Sequence, residues 1–342
     1  MKVFVTGTDG YLGVLLAGLL RARGHDITGC DTGYYRSGWL YNGVDYLAPT
    51  LSKDIRECTV EDLQGHDAIM HLAELSNDPV GNLSPNITYD INHKGSLHLA
   101  NLAREAGLSR FVYFSSCSVY GEADGYIDET GPVKPLTAYA KCKVMVENDV
   151  GAMASDDFSP TFLRNATAYG ASPRQRFDIV VNNLAGWAYC TKNIKMESDG
   201  TPWRPLVHAL DICKAAVCAL EAPRERVHGE VFNVGDTGEN YQVRDVASII
   251  AQTIPGCELE IGDRGGDKRD YKVNFDKINN ELPGFSCDWN VERGAQQLLE
   301  VFDRIQLTRE LFESPPHTRL KQIRQLLVTN QIDESFFWAA PR

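Results

Sequence analysis

Short runs of consecutive apolar residues alternate along the chain with longer stretches in which apolar positions recur every three or four residues. Val3-Phe4-Val5 reads as a buried strand, and Tyr11 to Arg23, with Leu12, Leu15, Leu16, Leu19 and Leu20 at helical spacing, reads as the helix that follows. Asp26 to Cys30, Asp67 to His71, Arg110 to Phe114 and Thr161 to Leu163 read as further strands. Ser96 to Ala106 and about Ala138 to Ala154 supply the helices between them. Repeated strand, helix, strand order implies right-handed crossovers, so the pattern predicts an α/β fold with a doubly wound parallel sheet. Such sheets bind ligands at the carboxyl ends of their strands.

From about Ala171 the regularity breaks around Pro173, Pro202 and Pro205, leaving short helices and an isolated strand at Glu230 to Val234. The expected organisation is a first domain over 1–170, with 206–238 returning to it. A smaller interleaved C-terminal lobe covers 171–205 and 239–305, and a helical tail covers 306–342. In the tail Leu320, Ile323, Leu326 and Leu327 form one amphipathic face ahead of Phe336-Phe337-Trp338, and the helix is expected to pack on its own subunit.

Composition narrows the chemistry. A chain of 342 residues with 43% apolar and 23% charged residues has enough to bury a core, which excludes disordered and small disulfide-scaffold classes. A net charge of -12 without basic runs excludes nucleic acid as the expected partner, although an anion can still bind locally at a helix N-terminus. Nine cysteines without CxxC spacing read as thiols, with no metal site. The absence of a leader pattern or an 18-residue apolar stretch leads to the expectation of a soluble, cytoplasmic protein that does not enter a membrane.

The segment Thr6-Gly7-Thr8-Asp9-Gly10-Tyr11-Leu12-Gly13 lies between the first strand and the first helix. Glycines at this point let the backbone turn tightly and approach a pyrophosphate, while the helix N-terminus offers free N–H groups. Asp31 ends the second strand, where its carboxylate can accept both hydroxyls of an adenosine ribose and would repel a 2′-phosphate. Thr32 and Gly33 follow it, so no arginine stands immediately beside it. Asp54-Ile55, after the third strand, is the candidate adenine contact. Together these mark a Rossmann-type site for NAD.

Tyr139-Ala140-Lys141-Cys142-Lys143 is a YxxxK at the start of a helix, where positions i and i+4 share a face. The strand before it ends in Ser115-Ser116-Cys117-Ser118-Val119-Tyr120-Gly121. With the glycine loop, Asp31, His71-Leu72-Ala73 and Asn92, these residues resemble the extended short-chain dehydrogenase/reductase superfamily, in its NAD-dependent nucleotide-sugar epimerase/dehydratase branch. The resemblance runs from Lys2 to about Pro283. It implies Tyr139 as acid/base, Lys143 on the nicotinamide ribose and Ser116 on the reacting oxygen. It adds Leu72 and Ala73 to a cofactor set of Gly7, Gly10, Tyr11, Leu12, Gly13, Asp31, Asp54 and Ile55.

The same resemblance implies a nucleotide-diphosphate sugar as substrate. Arg204, in Trp203-Arg204-Pro205, and Arg269, in Gly266-Asp267-Lys268-Arg269, are expected on its diphosphate; Ser116, Ser118, Thr167 and either Asn182 or Asn183 are expected on the rest. Arg174 and Arg176 are further candidates, and His208 is expected to be structural. A homodimer through the helices around 96–106 and 139–153 is also implied.

Related 4,6-dehydratases carry Thr-Asp-Glu where this chain has Ser116-Cys117-Ser118, so the resemblance favours a 4-epimerase. A 4,6-dehydratase or a 4-ketoreductase is the alternative within the family, and a non-catalytic NAD-sensing protein the alternative outside it. Two residues depart from the pattern: Glu74 replaces an alanine after His-Leu-Ala, and Thr167 replaces an asparagine.

Overall fold

The computed structural model describes residues 1–42, 46–76, 78–263 and 269–340. Its strands are β1 (Lys2–Thr6), β2 (Asp26–Asp31), β3 (Thr50–Ser52), β4 (Ala68–His71), β5 (Arg110–Ser116), β6 (Glu122–Ile127), β7 (Ser159–Asn165), β8 (Thr167–Tyr169), β9 (Asn193–Lys195), β10 (Trp203–His208), β11 (Val231–Val234), β12 (Asn240–Gln242), β13 (Glu258–Glu260) and β14 (Asp270–Val273). The helices of ten or more residues are α1 (Gly13–Ala22), α2 (Ser96–Glu105), α3 (Ala138–Gly151), α4 (Val180–Thr191), α5 (Ala209–Glu221), α6 (Val243–Thr253), α7 (Val291–Ile305) and α8 (Arg319–Val328).

Seven strands form one sheet in the order β11-β7-β5-β4-β1-β2-β3, every neighbouring pair parallel. The chain winds outward from β1 in one direction through β2 and β3, then in the other through β4, β5 and β7. The order therefore reverses between β1 and β4, and a crevice opens there at the carboxyl ends. The isolated strand expected at Glu230 to Val234 is β11, the sheet edge beside β7.

Alternation along β1 explains why both faces need cover. Val3 and Val5 join a core with Leu16 and Leu20 of α1 and Ile212 and Ala216 of α5. Phe4 points the other way, into a core with Leu99 of α2 and Val146 of α3. Ile323 and Leu326 of α8 and Phe336 belong to this second core. The tail thus closes the helical layer of the sheet, burying the amphipathic face seen in its sequence.

A third core, built from α4, α6, α7 and Phe312, underlies the C-terminal lobe. Short sheets tie this lobe to the main one: β8 leaves β7 after Ala166 and pairs with β10, and β14 pairs with β6. These crossings bring Arg204 and Tyr271 over the carboxyl ends of the main strands. Among the described residues no helix is long and apolar enough to cross a membrane.

Candidate active site

A cleft enclosing about 1650 Å³, open solvent included, runs across the carboxyl ends of β1, β2, β4, β5 and β7. Gly7, Gly10, Tyr11, Leu12 and Gly13 line one end, with Asp31, Asp54, Ile55, Leu72 and Ala73; Ser116, Ser118, Tyr139, Lys143, Thr167, Arg204 and Arg269 line the rest.

The glycine loop is shaped by close backbone approach. Gly7 has φ +80°, and a Cβ there would sit 3.0 Å from the Ala73 nitrogen. A Cβ on Gly13 would fall 2.0 Å from the Gly7 carbonyl oxygen, so α1 can begin this near the turn only without a side chain. Tyr11 contributes differently: its hydroxyl donates to the Gly170 carbonyl at 2.8 Å, fastening the loop to the second lobe. Thr6 Oγ1 receives the N–H groups of both Leu72 and Ala73 at 3.1 Å, which sets the chain after β4 against the loop.

Asp31 accepts from the backbone N–H of Asp9 at 3.0 Å and of Gly33 at 2.7 Å. Burial, reinforced by the Asp9 carboxylate, pushes its pKa up to about 6. Arg36 folds back toward this corner, but it is bound to Asp9 at 2.8 Å and to Ser52 Oγ at 3.1 Å. A glycine cradle with no room for a Cβ and a carboxylate at the end of β2 together fit a dinucleotide with free ribose hydroxyls, as NAD has. Asp54 also lines the cleft, and Arg56 binds both of its carboxylate oxygens, at 2.8 and 2.9 Å.

The helix α3 is capped by Thr137, whose Oγ1 accepts from Ala140 N at 3.1 Å. That cap places Tyr139 in the first turn and Lys143 one turn later, both facing the end of β5. Ser116 stands near enough to Tyr139 to pull its phenol pKa down, and Lys143 Nζ lies 5.3 Å from the Tyr139 ring centroid. Lys143 donates to the Phe114 carbonyl and pairs with Glu74 at 2.6 Å, both side chains buried. Tyr113 donates to the other oxygen of Glu74. Burial pushes the Glu74 carboxyl up while the Lys143 ammonium pulls it back. For Tyr139, burial and then Glu74 and Asp78 raise the phenol well above its ordinary value, against the opposing pull of Ser116 and the charge of Arg176.

Two polar atoms facing this region lack partners among the described residues: Ser118 Oγ and Asn165 Oδ1. Both line the cleft, and the β5–β7 register sets Asn165 opposite Ser116. Buried acceptors and hydroxyls are normally satisfied, which makes these two residues candidates for a polar ligand contact. The sequence reading missed Asn165. Its signal was available in the strand register but not in any motif.

Other expectations are corrected. Asn182 is fully buried away from the cleft: its Oδ1 accepts from Gly170 N at 2.9 Å and its Nδ2 donates to the Arg176 carbonyl at 3.0 Å. Asn183 donates to the Phe177 carbonyl at 2.8 Å and does not line the cleft. Both asparagines fasten the turn before α4, because the first turn of α4 is oriented toward that loop. Arg174 stacks on Trp39 at 3.9 Å outside the cleft, whereas Arg176 lines it. His208 is structural as expected, stacked on Trp289 at 4.1 Å and bonded to Gln297 at 2.8 Å. Arg269 pairs with Asp78, and Arg204 donates to the Arg269 carbonyl; Gly266, Asp267 and Lys268 lie outside the described residues.

A profile of the NAD dependent epimerase/dehydratase family matches residues 3–235. The chain belongs to this family. It is therefore an enzyme of the NAD-dependent epimerase/dehydratase type, with NAD as cofactor. A UDP-glucose 4-epimerase of Corynebacterium glutamicum is 29% identical over 300 residues, covering 82% of this chain and 90% of that protein. Among solved structures, the NAD-dependent NDP-hexosamine 5,6-dehydratase TunA superposes with a TM-score of 0.78 at 25% identity, over 89% of this chain and 98% of that one. MoeE5 in complex with UDP-glucose and NAD gives 0.75 at 25%, over 90% of this chain and 100% of that one. Epimerase/dehydratase members thus differ in reaction on a shared framework, and the residues around Tyr139 must distinguish them.

Proposed function

We propose that this enzyme is a nucleotide-sugar 4-epimerase. The observation that carries the reading is the absence, among the described residues, of a free acid around the reacting position. Ser116-Cys117-Ser118 offers none, and the Cys117 thiol turns away to the Arg164 carbonyl. The two nearby carboxylates are engaged, Glu74 by Lys143 and Tyr113, and Asp78 by Thr137 and Arg269. Water loss from a sugar needs an acid that can reach the leaving hydroxyl. Proton transfer at C4 needs only the serine and tyrosine.

In this reading Ser116 holds the C4 oxygen and Tyr139 takes its proton, with Lys143 favouring the phenolate. Bound NAD supplies hydride acceptance and return. Once the 4-keto sugar has turned over, Tyr139 gives the proton back to the oxygen on the other face. Arg204 and Arg269 suit the substrate diphosphate through their forked donors, and Ser118, Asn165 and Thr167 suit the sugar hydroxyls. The reading includes a homodimer through α2 and α3 in the cytoplasm, the former checked by light scattering.

Incubating the NAD-loaded enzyme with UDP-glucose, UDP-galactose and other nucleotide hexoses tests it. The expected product is the C4 epimer at unchanged mass, with Tyr139→Phe lowering kcat by about 10²- to 10⁴-fold. Glu74 gives the dehydratase reading its one specific support, because it is a carboxylate beside Tyr139. A product lighter by one water would establish that reading and sink the epimerase.

A further inference from the structure

The C-terminal arm carries a charged residue into the cofactor end of the cleft. Arg319, the first residue of α8, is only 6% exposed and lines the cleft with Arg176 and the glycine loop. Its guanidinium lies over the Tyr35 ring at 3.8 Å. Its backbone N–H donates to Asp178 Oδ2 at 3.1 Å, but among the described residues its guanidinium has neither a hydrogen-bond acceptor nor an ion-pair partner. Asp178 is directed at Arg176, which it holds at 2.8 and 3.3 Å. Two buried guanidinium groups thus share one carboxylate. Burial and the neighbouring Arg176 lower the Arg319 pKa to about 10, which leaves it charged at neutral pH. Two buried cations served by one carboxylate are incompletely balanced, and a further anion would complete the balance.

The position of the pair decides which anion. It lines the cleft with Gly7, Gly10 and the start of α1, where backbone N–H groups favour a phosphate. A 2′-phosphate on the adenosine ribose is disfavoured by the Asp31 carboxylate, and the sugar-nucleotide diphosphate has Arg204 and Arg269 of its own. We propose that Arg319, with Arg176 beside it, binds the diphosphate of NAD from the side opposite the glycine loop, so that the C-terminal arm forms the second wall of the dinucleotide site. The arm is fastened for this task to the segment after Asp31. Trp338 Nε1 donates to the Thr32 carbonyl at 2.6 Å, Gln322 Nε2 to the Tyr34 carbonyl at 2.8 Å, and Tyr34 donates to the Phe336 carbonyl.

The test is binding, independent of which sugar reaction is catalysed. NAD, ADP-ribose and adenosine are titrated calorimetrically into the full-length chain freed of cofactor, as wild type, Arg319→Gln and Arg319→Lys. Loss of a charge-assisted contact is expected to weaken NAD and ADP-ribose by about ten- to a hundredfold in Arg319→Gln, and by less in Arg319→Lys. Adenosine, which has no phosphate, is expected to bind all three proteins alike. Unchanged NAD affinity in Arg319→Gln, or an equal loss for adenosine, overturns the proposal. Should the variants fail to fold, a crystal structure of the wild type with ADP-ribose decides. A guanidinium nitrogen about 3 Å from a diphosphate oxygen supports the assignment, and a guanidinium left on Tyr35 without phosphate contact overturns it.

Discussion

Tyr139 is set by the charges that face it. Arg176 and Ser116 favour its phenolate, Glu74 and Asp78 oppose it, and the Lys143 ammonium lies 5.3 Å from its ring. Because Glu74 also neutralises Lys143 at 2.6 Å, it acts on the tyrosine twice, by its own charge and by cancelling the lysine. Glu74→Gln removes one negative charge near Tyr139, so the phenolate forms at lower pH. The acidic limb of the kcat/KM profile is expected to move toward lower pH relative to wild type, and a limb that stays in place would remove Glu74 from the acid/base set. Asp31 behaves in the opposite sense to a salt-bridged carboxylate. Its pKa of about 6 in the folded chain lies above the ordinary value of about 4, so the folded state retains this proton longer than the unfolded chain does. Its contribution to stability is therefore fullest below about pH 4 and declines as pH rises to about 6. Affinity for the ribose hydroxyls needs the carboxylate and runs the other way. NAD binding is expected to weaken by up to about tenfold per pH unit below pH 6 in calorimetric titrations, an effect absent from Asp31→Asn.

At the scale of elements, α3 and β7 hold the catalytic groups through a buried network behind the cleft. Arg164 of β7 meets Glu147 of α3 at 2.7 Å, with side-chain exposures of 8% and 6%. Ser115 donates to Glu147, and Arg164 donates to the Tyr120 hydroxyl at 2.9 Å. Removing either partner leaves an uncompensated buried charge, so Arg164→Ala or Glu147→Ala is expected to cost about 3–5 kcal/mol in denaturant unfolding. Replacing both together with Met and Leu is expected to cost less than either single change. A π-helical turn at Tyr89–Gly95 has a similar positioning role. Asn92 in that turn accepts from Leu75 N at 2.8 Å and donates to its carbonyl at 3.2 Å, fixing the segment that presents Glu74.

The whole molecule is organised around the switch point between β1 and β4, with the lobe and the arm closing the cleft from two sides. Phe312 in the arm packs so tightly on α4 that a Cβ on Gly186 would fall 2.2 Å from its ring. Ligand binding to the native state stabilises it by about 2.7 kcal/mol at a hundredfold excess over Kd. If the arm forms part of the dinucleotide site, that stabilisation reaches α8. Adding NAD is expected to slow amide hydrogen exchange in Tyr34–Ser37 and Arg319–Val328 as well as in the glycine loop. Exchange in α8 that is indifferent to NAD would show that the arm is a passive cover.

Local sequence determined much of this protein. The apolar runs and helical periodicity specified the parallel sheet because strands buried on both faces must be apolar throughout. The glycine loop was legible because only glycine tolerates φ +80° against the Ala73 backbone, and the i, i+4 spacing put Tyr139 and Lys143 on one helical face. Tertiary structure alone decided the rest, since a motif records what a residue is and not what is packed against it. It turned Asn182 and Asn183 away from the cleft and brought Asn165 into it through strand register. It joined Glu74 to Lys143 across 69 positions of chain and brought Arg319 into the cleft lined by a glycine loop more than 300 residues away. Contacts over such separations follow from the path of the chain through the sheet and its outer layers, which no short window of sequence contains.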